Sequence, residues 1–423
     1  MMPNHFSSPS SQVSFNLPET SLASGVQRND LGPIMVVGVH YGLISEAEGI
    51  CTWRLTHALR DAGIDTRVVT TGLREAPAEP WVEYRRTRTQ DYRRAQTTIG
   101  YLTTGCATRH WEWVLRAPQT RTPGLLVYAR AQPIASLLAG GRIASSRRIP
   151  LILHFSDPMP SPWGDPAHWK MRNLKRVIGQ LLRQAHGFTF TTPEAMHYME
   201  RLYQFPFSSA ATVIRNIAPD WPVLLNKEDP ATKRILHIGE FYGMRKPDAL
   251  ILAMAEVNHD TGLELGLTVV GKFPFEDRDE QLKGLPSVPI ETPGYTNDVL
   301  PHYHRAFITA VVDAEDAEPL YLATKAGEAM LASPRVLFIT PPGSPARAAF
   351  DAGFRSVAFS SHDPREVAAS IRRLITVDSD TVAAEMPARH ERLLPFGSRA
   401  VAAAFAQYAE TCISRFGQRR PSK

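Results

Sequence analysis

Short apolar runs recur along the chain, separated by stretches in which apolar positions return every three or four residues. The runs suit strands buried on both faces of a parallel sheet, and the intervening stretches suit amphipathic helices. Residues 33–38 (PIMVVG) predict a first strand. Residues 50–62 predict a helix through Trp53, Leu55, Ala58 and Leu59, with Gly63 as its C-cap, and residues 66–70 a second strand. Between the first strand and the helix lies a Gly-bearing loop, residues 40–49, containing Gly42 and Gly49. Such loops at the carboxyl ends of strands are where open α/β sheets bind ligands. The alternation continues with strands at 124–128, 150–154, 187–191 and 212–214 and helices at 131–144, 169–185 and 193–203. Residues 73–122 show no readable period.

A Pro- and charge-rich stretch, residues 219–233, interrupts the pattern and reads as a linker. Beyond it the same rhythm restarts. Strands are expected at 234–239, 265–271, 288–291, 306–312, 336–340 and 356–359, with helices at 247–258, 346–352, 364–375 and 398–416. The implied fold is α/β: two Rossmann-like doubly wound domains facing a cleft, with a C-terminal helix placed to cross back to the first domain. The expected boundaries are a flexible extension at 1–31, an N-terminal domain at 32–218, a C-terminal domain at 234–395, a helix at 396–416 and a basic tail at 417–423.

At 423 residues the chain exceeds one ordinary core, and its length suggests two or three domains. A 43% hydrophobic and 21% charged composition suits a globular protein rather than a disordered one. No apolar run is long enough for a transmembrane helix, and residues 1–31 lack the basic-then-apolar pattern of a secretory signal. Three scattered cysteines without CxxC spacing argue against a disulfide framework or zinc site and for a reducing, cytoplasmic setting. The net charge of +5 is concentrated locally. Residues 84–94 (YRRTRTQDYRR) carry Arg85, Arg86, Arg88, Arg93 and Arg94 against one Asp, with aromatic residues interleaved. That mixture suits an anionic membrane surface, and equally a solvated polar face. No nucleic-acid module accompanies it, so no nucleic-acid partner is expected.

The chemistry gathers in the second half. After the apolar run 306–312, the sequence DAEDAEPLYLATKAGEAM makes an acidic turn and enters a helix that Pro319 or Thr324 would open. Lys325 and Glu328, three residues apart, share one helix face near its start. A helix N-terminus favours phosphate, and a carboxylate one turn on can accept sugar hydroxyls. A plain surface ion pair is the competing reading. The loop from Gly239 to Pro247 adds Arg245 and Lys246, so two loops of one sheet would converge their cations on an anion. His302 and His304 fall in a polar turn, and the Asp277-Arg-Asp279 triplet reads as a solvated loop, so no metal site is expected.

The order of these features resembles the GT-B glycosyltransferases of family four over residues 33–416. Gly42 to Gly49 matches that family's first-strand loop, Asn216 its closing Asn turn, Gly239 with Arg245 and Lys246 its Gly-then-basic loop, residues 267–271 its Gly-ended strand, and Lys325 and Glu328 its K-x-x-E segment. The resemblance implies a retaining, metal-independent enzyme that moves a hexose from a nucleotide diphosphate sugar to a glycan or lipid-linked acceptor in polysaccharide biosynthesis. It would need no other cofactor; a cytoplasmic protein, peripheral at the inner face of the membrane, is what the basic run from Arg85 to Arg94 and the lack of a transmembrane span suggest. The resemblance also implies that Arg245 or Lys246 and Lys325 bind the donor diphosphate, and that Glu328 binds the ribose. The turn His154-Phe-Ser-Asp157-Pro resembles one in a bacterial surface-polysaccharide branch, implying Asp157 as the N-domain polar group at the reacting sugar, with His154 second. Ordinary turn chemistry would also place an Asp before Pro.

Three features depart from the pattern, the first being that the paired glycines of the first loop are reduced to Gly49. The family's first Glu, eight residues before Glu328, is Leu320 here, with Glu318 as a candidate substitute, and the basic residue after the strand Gly is Glu240. Leu320 and Glu240 leave a degenerate, non-catalytic scaffold in play, and the shared two-domain architecture leaves a nucleotide-sugar epimerase.

Overall fold

The computed structural model describes residues 31–42, 47–71, 79–85, 93–105, 108, 110–221, 233–271, 273, 288–296, 298–315 and 318–418. Two all-parallel sheets dominate it. The first contains β1 (Ile34–Val39), β2 (Thr66–Thr71), β3 (Val82–Tyr84), β4 (Leu126–Ala131), β5 (Leu151–Phe155), β6 (Gly187–Phe190) and β7 (Ala211–Val213), in the order β3-β2-β1-β4-β5-β6-β7. The second contains β8 (Arg234–Ile238), β9 (Gly266–Val270), β10 (Ile290–Glu291), β11 (Ile308–Val312), β12 (Val336–Ile339) and β13 (Val357–Ser360), in the order β10-β9-β8-β11-β12-β13. In each sheet the chain reverses its direction of winding beside the first strand, between β1 and β4 and between β8 and β11. Such switch points open a crevice beyond the strand ends.

The strands form because their residues are apolar on both faces. Every residue of β1, β4, β5 and β11 is buried. Helices cover both faces. On the first sheet, α1 (Ala47–Asp61) packs on one side, and α4 (Ile134–Arg147) and α5 (Trp169–Gln184) on the other, with α2 (Arg93–Thr104) and α3 (Trp111–Arg116) between β3 and β4 in the chain. After β6 comes α6 (Pro193–Tyr203), which Thr192 caps by accepting from the Ala195 amide at 3.1 Å. The second sheet carries α7 (Asp248–Thr261), α8 (Leu300–Arg305), α9 (Thr324–Ala332), α10 (Pro345–Phe350), α11 (Pro364–Ile375) and α12 (Ser379–Leu393). The terminal α13 (Ser398–Gln418) returns to the first domain. Its Val401, Ala402, Phe405, Ala409 and Cys412 join the core formed by Ile34, Val36, Leu55 and Leu59.

Several elements differ from the sequence expectation. Helix α1 begins at Ala47 rather than 50, so Gly49 lies in the helix, and its carbonyl accepts from the Gly42 amide at 3.2 Å. The stretch 73–122 contains β3, α2 and α3. His302 and His304 sit in α8, not a turn, with Tyr303 buried between them. Helix α12 went unread because its polar residues and Pro387 break the apolar period. Arg86, Arg88 and the Asp277–Asp279 triplet lie outside the described residues, and of Arg93 and Arg94 only the backbone is described.

Candidate active site

The two switch points face each other, and contacts across the gap concentrate at the start of α9. Glu328, only 1% exposed, receives Arg54 Nη2 from α1 on Oε1 at 2.9 Å. Its Oε2 takes the Tyr303 hydroxyl at 3.1 Å and lies 3.3 Å from Lys325 Nζ. Arg54 is itself fixed by donating from Nη1 to the Ile217 carbonyl at 3.2 Å. Thr324 does not cap the helix; Ala323 holds that position, and Thr324 is the first helical residue. The Thr324 hydroxyl instead meets Asn216 Nδ2 at 3.3 Å and Cys51 Sγ at 3.6 Å. A small cavity lies against this point, lined by Thr191, Asn216, Leu322, Thr324, Gly327 and Phe396.

The Gly239 loop forms the other wall. Gly239 has φ +126° and Gly271, at the end of β9, φ +143°. A Cβ on Gly271 would come within 2.4 Å of the Gly239 carbonyl oxygen, so only glycine permits the two strand ends to meet this closely. The loop then turns on itself, with the Arg245 amide donating to the Tyr242 carbonyl at 2.9 Å. The Met244 carbonyl accepts from the Glu315 amide at 3.2 Å, which ties the loop to the segment after β11. Lys246 is exposed, whereas Arg245 is half-buried with its guanidinium 5.2 Å from the Tyr242 ring centre.

Arg245 supplies the positive field of this wall. Asp313, buried at the end of β11, is pushed up by burial, against which Arg245 and the Thr340 hydroxyl at 2.9 Å act. The other carboxylate oxygen of Asp313 is buried without a partner. Burial likewise pushes Asp157 to about 6, and Arg245 opposes that shift from the other domain. Asp157 and Arg245 thus lie within electrostatic reach of each other across the two domains. Burial drives His237, at the end of β8, down to about 3, with Arg245 and Lys325 both adding to the effect of its surroundings.

Other expected residues land elsewhere. His154 is in the sheet interior, 0% exposed, with Nδ1 2.9 Å from the Thr189 hydroxyl. Burial, and then Arg130, hold its pKa well below the ordinary value, so it is a neutral core imidazole away from the cleft surface. Glu318 is half-exposed and pairs with Arg201 of α6 across the domain boundary. Leu320 is 1% exposed, and its carbonyl accepts from the Thr192 hydroxyl at 2.7 Å. Glu240 contacts the Tyr295 hydroxyl. Arg85 is consumed internally: it donates to Glu83 at 2.6 Å and to the carbonyls of Arg116 and Gln119. Among the described residues no group of three or more His, Cys, Asp or Glu is placed to hold a metal ion.

Sequence reasoning missed Arg54 and Tyr303. Arg54 sits 274 positions from Glu328, beyond any local signal. It also missed a buried network at the start of α1, where Arg130 Nε donates to Glu48 at 2.7 Å and the Ser156 hydroxyl reaches the same carboxylate at 2.5 Å.

Residues 48–216 match the model of the Glycosyl transferase 4-like domain. That span runs from the first turn of α1 to the asparagine at the cavity. Residues 48–216 are a glycosyl transferase 4-like domain. The fold of the whole chain is GT-B. HepE from Anabaena, in complex with UDP and glucose, aligns at TM-score 0.64 and 16% identity over 90% of this chain and 99% of its own. Sucrose-phosphate synthase from Thermosynechococcus elongatus aligns with the same values. The E. coli trehalose-6-phosphate structure bound with UDP-2-fluoro glucose aligns at TM-score 0.60 and 12% identity over 92% of this chain and 100% of its own. No curated protein matches at the level of sequence. The matched domain and the fold are thus both of glycosyltransferase type. In a GT-B glycosyltransferase the facing switch points are the two walls of one working cleft.

Proposed function

We propose that the protein is a retaining hexosyltransferase that takes its sugar from a nucleotide diphosphate sugar. The acceptor is a glycan or lipid-linked saccharide, as in polysaccharide biosynthesis. The observation that carries the donor half is that Lys325 and Glu328, paired at 3.3 Å at the start of α9, follow β11, that the Arg245 loop follows its neighbour β8, and that Lys325 and Arg245 both act on His237 between them. Donors in two of the neighbouring structures, UDP with glucose and UDP-2-fluoro glucose, support the same donor class.

In this reading Lys325, Arg245 and Lys246 hold the diphosphate, whose charge grows as the bond from the anomeric carbon to its oxygen breaks. The dipole of α9, positive at its start, adds to that field. Glu328 and Asn216 hold the nucleoside side. Gly239 lets the backbone come close to the phosphates, and Gly42 with Gly49 shape the opposite wall. The acceptor oxygen bonds to the anomeric carbon on the face the diphosphate leaves, and its proton passes to the departing phosphate oxygen. Asp157, facing Arg245 from the N-terminal domain, orients a sugar hydroxyl.

Incubation with a panel of labelled nucleotide sugars and short saccharides tests the proposal, with proton NMR of the new linkage. Transfer with the anomeric configuration of the donor is expected. An inverted product refutes retention, and donor conversion without any acceptor identifies an epimerase.

A further inference from the structure

Helix α5 has one apolar face, formed by Val177, Ile178, Leu181 and Leu182, sunk in the core of the first domain. Its outer face carries Arg172, Lys175, Arg176 and Arg183, its first turn adds Lys170, all five are exposed, and the helix contains no acidic residue. A helix face that merely meets water ordinarily mixes both signs of charge. The C-terminal half of α2 lies against the start of α5: Asn173 Nδ2 donates to the Gly105 carbonyl at 2.5 Å, and the Tyr101 and Trp169 rings meet edge to face at 5.1 Å.

Apolar side chains project beside these cations. Leu102 is 76% exposed, Trp169 46% and Ile99 39%, and Lys170 Nζ sits 5.8 Å from the Trp169 ring. Exposed aromatic and aliphatic groups flanked by several cations match a bilayer surface, where rings settle among the headgroups and Lys and Arg meet anionic lipid. The position also suits such a surface. The connection from Asp157 to α5 passes the cleft mouth, where Trp163 packs on Tyr321 of the second domain with ring centres 5.1 Å apart.

We propose that the α2–α5 face docks the protein on an anionic membrane, with Leu102 and Trp169 entering the headgroup layer and Lys170, Arg172, Lys175 and Arg176 binding lipid phosphates. Docking there holds the cleft mouth close to acceptors carried by lipid. Only this last consequence rests on the proposed transfer reaction; the docking itself does not.

Co-sedimentation of the full chain with vesicles of phosphatidylcholine, with and without 30% phosphatidylglycerol, tests it in the absence of donor and acceptor. The expected result is binding that rises at least tenfold with the anionic lipid and falls as salt is raised. Exchange of Lys170, Arg172, Lys175 and Arg176 for Gln should remove most of that binding. Leu102→Ser, at a site too exposed to matter for folding, should weaken it severalfold. Each variant should keep the wild-type circular dichroism. Equal binding to both vesicles, no binding, unchanged binding of the variants, or preference for single-stranded or duplex nucleic acid over the vesicles would overturn the proposal. A negative result leaves the donor site untouched, because nucleotide binding is measured without lipid.

Discussion

Arg54 of the first domain and Glu328 of the second form an ion pair at 2.9 Å, and the carboxylate is almost fully enclosed. A buried carboxylate that loses one of its partners keeps the desolvation cost without the compensation. Arg54→Ala should therefore destabilise the protein by about 3 kcal/mol. Denaturant titration of Arg54→Ala, Glu328→Gln and the double variant measures the coupling. A double variant that loses as much stability as the two singles added together would show that the pair contributes nothing. Glu328 retains Tyr303 and Lys325 in Arg54→Ala, so the helix should still form, while the KM for donor rises more than kcat falls.

Gly271→Ala addresses the donor wall from the backbone. The added methyl meets the Gly239 carbonyl at 2.4 Å, on a residue with φ +143°. Both effects act in the same direction, and a loss of about 2 to 4 kcal/mol is expected. Nucleotide affinity should fall with it, since relief of the clash requires the Gly239 loop to move. Gly262→Ala is the control: φ is also positive, but nothing lies within 4 Å of the added methyl, so a smaller loss of stability and no change in affinity are expected.

Asp157 ties activity to pH. Its folded pKa is about 6, raised by burial from the ordinary carboxylate value. The folded protein therefore binds more protons than the unfolded chain between about pH 4 and 6, and stability falls as pH rises through that window. Asp157→Asn should gain about 1 to 2 kcal/mol at pH 7, a figure discounted because the side chain keeps some solvent contact, and the gain should vanish near pH 4. Wild-type transfer should decline below about pH 6 as the carboxylate takes up its proton. In Asp157→Asn transfer should be low at every pH and this limb absent.

Leu320 stands where the resembling enzymes carry an acid, yet it is a core residue with its carbonyl bonded to Thr192. Leu320→Glu should not improve transfer. It buries a carboxylate among apolar neighbours, and a loss of at least about 2 kcal/mol is expected, read from the thermal midpoint and the soluble yield. Higher activity in Leu320→Glu would show that the position still opens on the donor.

The doubly wound architecture was legible because buried parallel strands such as β1 and β11 are nearly pure apolar runs, and the 219–233 stretch broke the pattern cleanly. Lys325 and Glu328 were legible as a helical pair for the same local reason. Arg54 and Tyr303 were not, since their roles arise only when two domains and a second helix are brought together around Glu328. His154 misled for the converse reason. A histidine beside a turn looks the same in sequence whether its ring faces the cleft or, as here, Thr189 inside the sheet. Arg85, prominent in a basic run, is spent on backbone carbonyls that close β3 against the segment after α3.

In the proposed reaction the start of α9 and the Arg245 loop bind a nucleoside diphosphate. Thermal unfolding with UDP, GDP and ADP, for the wild type and Lys325→Ala, tests it most directly. One nucleotide at a hundred times its Kd should stabilise the wild type by about 2.7 kcal/mol, visible as a rise in Tm of a few degrees. Lys325→Ala should abolish that rise at the same concentration. No shift with any of the three nucleotides, or an equal shift in Lys325→Ala, would contradict the account.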